Sequence, residues 1–301
     1  HGQAMRRYAS SLDVDHTRVG LQLDAYGRYG GFELSLADVT RGDLFGVLGF
    51  VKPLSLFYDS MMAESLSIGA TWMTDRDAPL AFERAGPVQG AMIGRILVDD
   101  TRSPRVVTSA VDILGVDAEL KVLKTAAADL KTYADFSQIL DAGNGITLGL
   151  LGRFNLRTDS TVHLFRTRLE LRTYSANFAP SYFDSLYEFQ KYQYIPEVAK
   201  NDPSVSGNGD FPTKRAAIFS RTGDRRVGAY LEGTYSLPYW IVLAVAFETA
   251  SGTDDEHFML HAEIPFDWLD LFATYQQRNF SEPFSNTNND ILFAGGRLQI
   301  F

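Results

Sequence analysis

Apolar and polar residues alternate strictly from residue 165 to residue 172. One parity holds Phe165, Thr167, Leu169 and Leu171, and the other holds Arg166, Arg168, Glu170 and Arg172. A helix would distribute those charges around its axis, whereas a β-strand places all of them on one face. The pattern therefore predicts a strand whose apolar face suits lipid and whose charged face needs water or counter-charges.

Segments of the same kind recur along the chain, separated by turn residues. Most have about 9–12 residues, the length that a tilted strand needs to cross a bilayer. They cover residues 18–26, 32–39, 44–54, 64–74, 106–122, 128–135, 146–157, 165–172, 214–221, 226–235, 239–249, 257–266, 269–280 and 290–301. In segment 106–122 the apolar parity slips near Gly115, which predicts a kink there. The pattern predicts an all-β fold of about 14 strands, within a range of about 12–16.

A single transmembrane antiparallel β-barrel over residues 18–301, preceded by a lead-in of residues 1–17, accounts best for these strands. Such a barrel carries apolar side chains outside and polar side chains inside. The alternative is a soluble β-sandwich or lipocalin-like barrel, because their strands also alternate. That many strands would usually divide into two domains, and the sequence has no evident linker.

Composition narrows the class of protein further. A hydrophobic fraction of 45% with 13% aromatic residues excludes a disordered chain. The longest apolar runs, such as residues 240–247, have the length of a strand, which excludes a helical membrane protein. The net charge of −9 disfavours nucleic acid as a partner, and the absence of cysteine removes thiol chemistry. The chain begins without a signal peptide, so we expect it to be a mature form.

The last predicted strand ends at an aromatic residue, Phe301. In this it resembles bacterial outer-membrane β-barrels, whose last strand typically ends in Phe and is recognised by the barrel-assembly machinery. The resemblance implies the outer membrane of a Gram-negative bacterium, with membrane lipid and that machinery as partners. It departs from the family pattern because Phe301 shares the parity of Arg297 and Gln299. The apolar residues of this strand have the other parity: Leu292, Ala294, Leu298 and Ile300.

Two connections, about residues 75–105 and 175–213, are much longer than the others. Connections of this length are usually functional or disordered. The second is predicted to be helical in part and is dense in aromatic residues, among them Tyr182, Phe183, Tyr187, Phe189 and Tyr192. We expect these insertions to plug the lumen or to contact periplasmic or lipoprotein partners. The alternative is that each conceals a short strand or helix with no function.

The strand count also predicts which side of the membrane the insertions face. If both termini are periplasmic, every even-numbered connection faces the periplasm. Both insertions and the tight turns at residues 237–238 and 265–267 would then lie on that side.

A ladder of charged residues on the polar strand faces is expected to line the lumen. It consists of Asp129, Lys131, Asp135, Arg153, Arg157, Arg166, Arg168, Glu170 and Arg172. Opposed charges can select solutes in a pore, or they can pair with one another and close it. The first hypothesis is a porin-like channel for small polar or anionic solutes. The alternative is a non-transporting subunit or anchor of a trans-envelope assembly for secretion, export or surface motility.

Enzymatic chemistry has little support in the sequence. His163 and Ser160 lie near a strand end, but nothing else completes a catalytic constellation around them. The acidic pairs Asp75 with Asp77 and Asp99 with Asp100 flank the first insertion and could bind Ca²⁺, although acidic pairs in loops are usually just solvated. No nucleotide-binding motif is present. We therefore expect no enzyme activity, no catalytic residue, no cofactor and no resident metal.

Overall fold

A large antiparallel sheet organises the chain in the computed structural model. The fold is all-β, as the sequence predicts, and thirteen strands follow one another as a meander in which each pairs with its neighbours. Among the described residues, no pairing joins the first strand of this sheet to the last. The structure describes residues 20–58, 63–85, 96–98, 105–158, 161–183, 187–192, 212–251, 256–266, 268–278 and 290–298.

The strands match most of the predicted segments. They are β1 (Leu21–Tyr26), β2 (Gly30–Leu36), β3 (Leu44–Val51), β4 (Leu66–Asp75), β5 (Pro79–Phe82), β6 (Val106–Thr108), β7 (Val111–Lys124), β8 (Ala128–Ile139), β9 (Asn144–Arg157), β10 (Val162–Tyr174), β11 (Arg226–Leu237), β12 (Ile241–Ala250), β13 (His257–Pro265), β14 (Leu269–Arg278) and β15 (Asp290–Leu298). β5 and β6 form a separate two-stranded sheet within the first long connection.

The helices that the structure describes are short. Two are 3-10 helices, Pro53–Leu56 and Ala63–Ser65, and two are α-helices, α1 (Tyr187–Gln190) and α2 (Lys214–Phe219). The first α-helix confirms the prediction that the second insertion is helical in part. Across the described part of the chain, no helix has both the length and the apolar character needed to cross a membrane.

The predicted strand over residues 214–221 is wrong, because this segment forms α2. The hydroxyl of Thr213 accepts a hydrogen bond from the backbone N–H of Ala216 at 3.2 Å, which caps the start of the helix. Ala217 and Ile218 are buried on its inner side. The large sheet therefore has one strand fewer than the sequence pattern suggests.

No irregularity of register accompanies the kink predicted near Gly115. The register between β4 and β7 is continuous from Val111 to Leu120, and the irregularity lies later, between Lys121 and Leu123. The apolar parity changes at Gly115 because the inner face of β7 borders an apolar core before this residue and carries charged residues after it. Ile113, on the inner parity, joins a buried apolar core, whereas residues further along that face are charged.

The two faces of the large sheet differ in polarity. Side chains of the outer face are apolar and exposed, including Val116, Leu148, Leu171, Val227 and Leu231. Side chains of the inner face include many buried polar residues, among them Glu33, Thr71, Asp117, Thr147, Glu170, Arg172 and Thr274. The arrangement is the reverse of a water-soluble protein, in which apolar side chains are preferentially buried.

The two ends of the sheet differ in their connections. The cap end carries both long connections, residues 76–110 and 175–225, and the turn end carries short ones such as residues 27–29, 125–127 and 238–240. The prediction that the tight turns and the insertions share an end is wrong. The turns at residues 238–240 and 266–268 follow β11 and β13, which places them at the turn end. Because residues 214–221 are not a strand, every later connection changes ends.

Candidate functional site

A belt of paired charges crosses the inner face of the sheet from β8 to β12. It comprises Tyr133, Arg168, Glu170, Arg172, Tyr230, Glu232 and Glu248, and we call it the charged belt. These residues share the inner parity of their strands, and the antiparallel register brings them side by side. Glu170 lies directly opposite Gly149 on one side and Tyr230 on the other.

Arg172 is the centre of the charged belt. Its Nε donates a hydrogen bond to Oε2 of Glu170 at 2.7 Å, and its Nη2 donates to the same oxygen. Its Nη1 donates to Oε1 of Glu248. The side chains of Arg172 and Glu170 are 2% and 0% exposed, and that of Glu248 is 16% exposed. The guanidinium carbon also lies 4.6 Å from the ring centre of Tyr230, a cation–π contact.

Arg168 extends the charged belt toward the turn end. Its Nε lies 3.7 Å from Oε1 of Glu170, and its Nη1 lies 3.8 Å from Oε2 of Glu232. The hydroxyl of Tyr230 donates to Glu232 at 2.8 Å, and the hydroxyl of Tyr133 donates to Glu170. The buried carboxylate of Glu170 thus has donors from both Arg172 and Tyr133, which is what burial of a charge requires.

A glycine on β9 makes the contact between β8 and β10 possible. The ring of Tyr133 crosses Gly149, and a Cβ atom at this position would overlap the ring carbon Cζ. Without a side chain at residue 149, the phenol can reach over the intervening strand to Glu170. The glycine therefore has a packing role, and Tyr133 joins two strands that do not pair directly.

The residues of the predicted ladder fall into three groups in the structure: members of the charged belt, residues with other partners, and residues nearer the turn end. Arg168, Glu170 and Arg172 belong to the charged belt. Lys131 pairs with Glu119 at 2.5 Å, and Asp135 accepts a hydrogen bond from Ser137 at 2.7 Å. The remaining ladder residues lie nearer the turn end: Asp129, Arg153, Arg157 and Arg166.

Several members of the site were missing from the sequence prediction. Glu232 and Glu248 alternate with apolar neighbours on β11 and β12, so strand parity placed them on the inner face. Their role as partners of arginine depends on register, which the sequence alone does not reveal. Tyr133 and Tyr230 were missed because a phenol is compatible with either face of a barrel strand.

A pocket of about 110 Å³ lies on the inner face at the turn end, beside the charged belt. Four basic side chains line it, together with three acidic ones. The basic residues are Lys131, Arg153, Arg166 and Arg168, and the acidic residues are Glu119, Asp129 and Glu232. We call it the basic pocket.

The second insertion packs into the sheet at the cap end. Tyr182, Phe183 and Tyr187 are almost completely buried, and the ring of Phe183 makes edge-to-face contacts with both tyrosines. These rings join an apolar core formed by the inner residues of the strand ends, among them Leu44, Leu48, Met73, Val111, Ile113, Ile139 and Tyr174. The hydroxyl of Thr213 donates to the carbonyl of Leu80, which ties the second insertion to the first. We call this assembly the cap.

A buried polar cluster fastens the cap to β4. The hydroxyl of Tyr187 donates to Oδ2 of Asp75 at 2.7 Å. Lys191 lies 4.0 Å from the same carboxylate and 2.9 Å from Glu188. Loss of solvation and the neighbouring Asp75 raise the pKa of Tyr187 well above its ordinary value, so the phenol stays protonated. Asp75 is therefore engaged by the cap.

The other predicted insertion residues and metal candidates fall in different places. Tyr192 is partly exposed, with the ammonium of Lys191 5.4 Å from its ring centre, and the side chain of Phe189 lies outside the described residues. Asp99 and Asp100 also lie outside them. Within the described residues, no group of three or more potential metal ligands is found.

His163 lies on the outer face of β10, near the start of this strand at the turn end. Its Nδ1 lies 2.9 Å from the hydroxyl of Tyr235, with which its ring stacks. Ser160 lies outside the described residues. His163 therefore packs against Tyr235 of the neighbouring strand.

No protein-family model matches the chain, and no curated protein sequence matches it. The charged belt, the basic pocket and the cap are therefore the features from which function is inferred.

Proposed function

We propose that this chain is a transmembrane β-barrel of a bacterial outer membrane, closed at one end by its own cap. The observation that carries the proposal is the reversed polarity of the large sheet. Exposed apolar residues such as Leu148, Leu171 and Val227 cover the outer face, whereas Glu170 and Arg172 are buried inside. Monomeric soluble proteins rarely expose a contiguous apolar surface larger than a few hundred Å².

Exposed aromatic residues at the turn end support the same proposal. The exposed aromatic residues in the connections at this end include Tyr58, Tyr239, Trp240, Phe266 and Trp268. Aromatic side chains form girdles where a transmembrane barrel meets the membrane–water interface. The turn end therefore suits the boundary of a membrane.

Strand length and strand number bear on how the barrel closes. β7 to β11 have 12 to 14 residues each, more than the about 9–11 that a tilted strand needs to cross a bilayer. Because thirteen is odd, β1 and β15 run in the same direction. The barrel therefore closes either by parallel pairing of these two strands or with one further strand between them.

The cap faces the outside of the cell in this proposal. Outer-membrane barrels have short periplasmic turns and longer extracellular connections. Five of the six connections at the turn end have three or four residues, the exception being residues 52–65, and both long connections lie at the cap end. This orientation is the reverse of the sequence-based expectation, which assumed that both termini are periplasmic. Partners of the insertions would then lie outside the cell rather than in the periplasm.

We propose that the barrel does not conduct in the capped state and serves as a membrane-embedded subunit or anchor. The cap packs against the inner ends of the strands, and the charged belt crosses the inner face beside it with Glu170 and Arg172 buried. A second candidate is a channel for small anionic solutes that opens when the cap moves. The basic pocket favours this candidate because it places four cations along the inner face.

Two measurements test the proposal. The chain is refolded from urea into phospholipid vesicles, and membrane insertion is followed by β-sheet circular dichroism and heat-modifiable electrophoretic mobility. A chain that remains monodisperse without detergent would contradict the membrane proposal. Single-channel recording in a planar bilayer then separates the two candidates. Silence supports the capped subunit, whereas ohmic openings whose selectivity changes in Arg168→Glu support the channel.

A further inference from the structure

We propose that a groove on the outer face of the large sheet holds a membrane lipid whose headgroup carries an anionic phosphate. The groove crosses β9, β10, β11 and β12 and has a volume of about 540 Å³, within the range of about 300–1,000 Å³ that is typical of ligand sites. We call it the outer groove. The inference rests on the proposed function, because it requires the outer face to meet lipid, and it adds a headgroup of defined charge at a defined place.

Small side chains on two neighbouring strands form the outer groove. Ala229 on β11 lies between its register partners Leu171 on β10 and Thr249 on β12. Two residues further toward the turn end, Leu231 and Phe247 are register partners with bulky side chains. The surface is therefore lower at Ala229 and Thr249 than around them, and its walls are apolar. A depression of this kind suits a hydrocarbon chain.

The apolar walls cannot select one lipid from another. Lipid tails are as apolar as leucine, and every membrane lipid has them, so the outer groove by itself gives no preference among lipids. A preference requires a polar or charged group at the end of the groove, where a headgroup would lie.

Arg225 is a cation at the cap end of the outer groove. It directly precedes β11, and its Nη2 donates a hydrogen bond to the backbone carbonyl of Thr173 at 3.3 Å. Its Nη1 donates to Oδ1 of Asn144 at 2.9 Å. Thr173 lies two residues beyond Leu171 on β10, about 7 Å along the strand. These two hydrogen bonds hold the guanidinium beside the end of the groove.

The guanidinium of Arg225 can also bind an anion. Both of its partners are uncharged, and no carboxylate in the described part of the chain forms an ion pair with it. Its side chain is exposed, and a guanidinium has five N–H donors, so two hydrogen bonds leave donors for a ligand. Arginine binds phosphate oxygens through such donors. An apolar groove that ends at this cation matches the two parts of an anionic phospholipid.

Native mass spectrometry of the purified full chain, released from a non-ionic detergent, tests the site. The probes are phosphatidylglycerol and phosphatidylcholine with the same acyl chains. We expect phosphatidylglycerol to bind at least about tenfold more tightly, because hydrogen bonds to a charged group are the stronger ones. Arg225→Gln should remove this preference. The matched control is Arg41→Gln, which removes the same charge from a half-exposed arginine in another connection at the cap end and should keep the preference.

Ala229→Phe tests the outer groove separately from the headgroup. A phenyl ring fills the depression, so binding of both lipids should weaken while the preference for phosphatidylglycerol remains. The control is Ala118→Phe on β7. Ala118 is exposed on the same outer face, and register pairs link it to Ala229 across the intervening strands, so both substitutions lie at the same depth. The control variant should bind both lipids as the unmodified chain does.

Three results would overturn the assignment. Equal binding of the two lipids by the unmodified chain would show that no headgroup is selected. An equal loss of preference in Arg41→Gln would show that only general charge attracts the lipid. Unchanged binding in Ala229→Phe, in protein with normal β-sheet circular dichroism, would show that the outer groove holds no lipid.

Failure of the lipid site and failure of the proposed function give different results. A chain that inserts into vesicles but binds the two lipids equally refutes the lipid site alone. A chain that remains monodisperse without detergent refutes the membrane proposal, and the lipid site with it.

Discussion

Replacing Arg172 by Met tests whether water is excluded from the charged belt on the inner face of the sheet. Met keeps much of the length of the side chain and removes its charge. Glu170, which is 0% exposed, would then keep a buried carboxylate without its main cationic partner, while the contacts with Tyr133 and the more distant Arg168 remain. Removing one partner of a buried ion pair costs about 3–5 kcal/mol. Because those contacts remain, we expect the lower part of this range, about 3 kcal/mol.

The assay is chemical unfolding in vesicles or detergent micelles, followed by tryptophan fluorescence. A loss of about 3 kcal/mol corresponds to a change of more than about a hundredfold in the unfolding equilibrium constant. The control is Arg105→Met in the first insertion. Its pair with Glu83 is 3.4 Å long and exposed, with the two side chains 55% and 37% accessible. An exposed pair contributes about 0–1 kcal/mol, so this variant should remain close to the unmodified protein.

A double variant identifies the source of the cost. If the buried negative charge of Glu170, deprived of Arg172, causes the destabilisation, adding Glu170→Gln to Arg172→Met should recover part of the lost stability. A cost below about 1 kcal/mol for Arg172→Met, similar to that of Arg105→Met, would refute the reasoning. It would mean that water reaches the charged belt, and a permeable lumen would become the better interpretation.

The remaining predictions address the membrane face, the cap and the orientation. Leu169→Arg, on the outer face near the middle of β10 at a residue 47% exposed, should destabilise the protein in vesicles by about 2–4 kcal/mol. Leu156→Arg near the turn end should cost about 0–1 kcal/mol, and equal costs would argue against a lipid-facing surface. Phe183→Ala should cost about 3–5 kcal/mol in the same unfolding assay because Phe183 is fully buried, and a cost below 1 kcal/mol would show that the cap is not packed. The chain has no cysteine, so single-cysteine variants can be labelled cleanly. An impermeant maleimide should label Val39→Cys at the cap end in intact cells and Tyr239→Cys only after the outer membrane is permeabilised; the opposite order would place the cap in the periplasm.

Much of the sheet could be predicted because strand periodicity is local. The alternation in residues 165–172 correctly indicates a strand, and the structure places Arg168, Glu170 and Arg172 on its inner face. Residues 214–221 misled the same reasoning because a short apolar run fits a helix or a strand equally well. Thr213 carried the missing signal, since its hydroxyl caps the following helix.

The wrong prediction of a strand at residues 214–221 also changed the predicted ends of later connections. Each strand reverses the direction of the chain, so one false strand exchanges the ends of all later connections. The tight turns after β11 and β13 changed ends for this reason, whereas both insertions come before the end of the false strand and still share one end of the sheet. The parity slip at Gly115 was a real signal with another cause, because Ile113 and Val111 face the apolar core under the cap.

The sequence by itself determined which side chains share a face, because the period of two is a property of each strand alone. From that period followed an apolar face and a charged face, and hence the expectation of lipid outside and polar groups inside. The tertiary structure decided which charges meet. Arg172 lies between Glu170 and Glu248, and the ring of Tyr187 reaches Asp75, a residue 112 positions away. These contacts depend on register between strands and on the packing of the cap, and both arise only when distant parts of the chain come together.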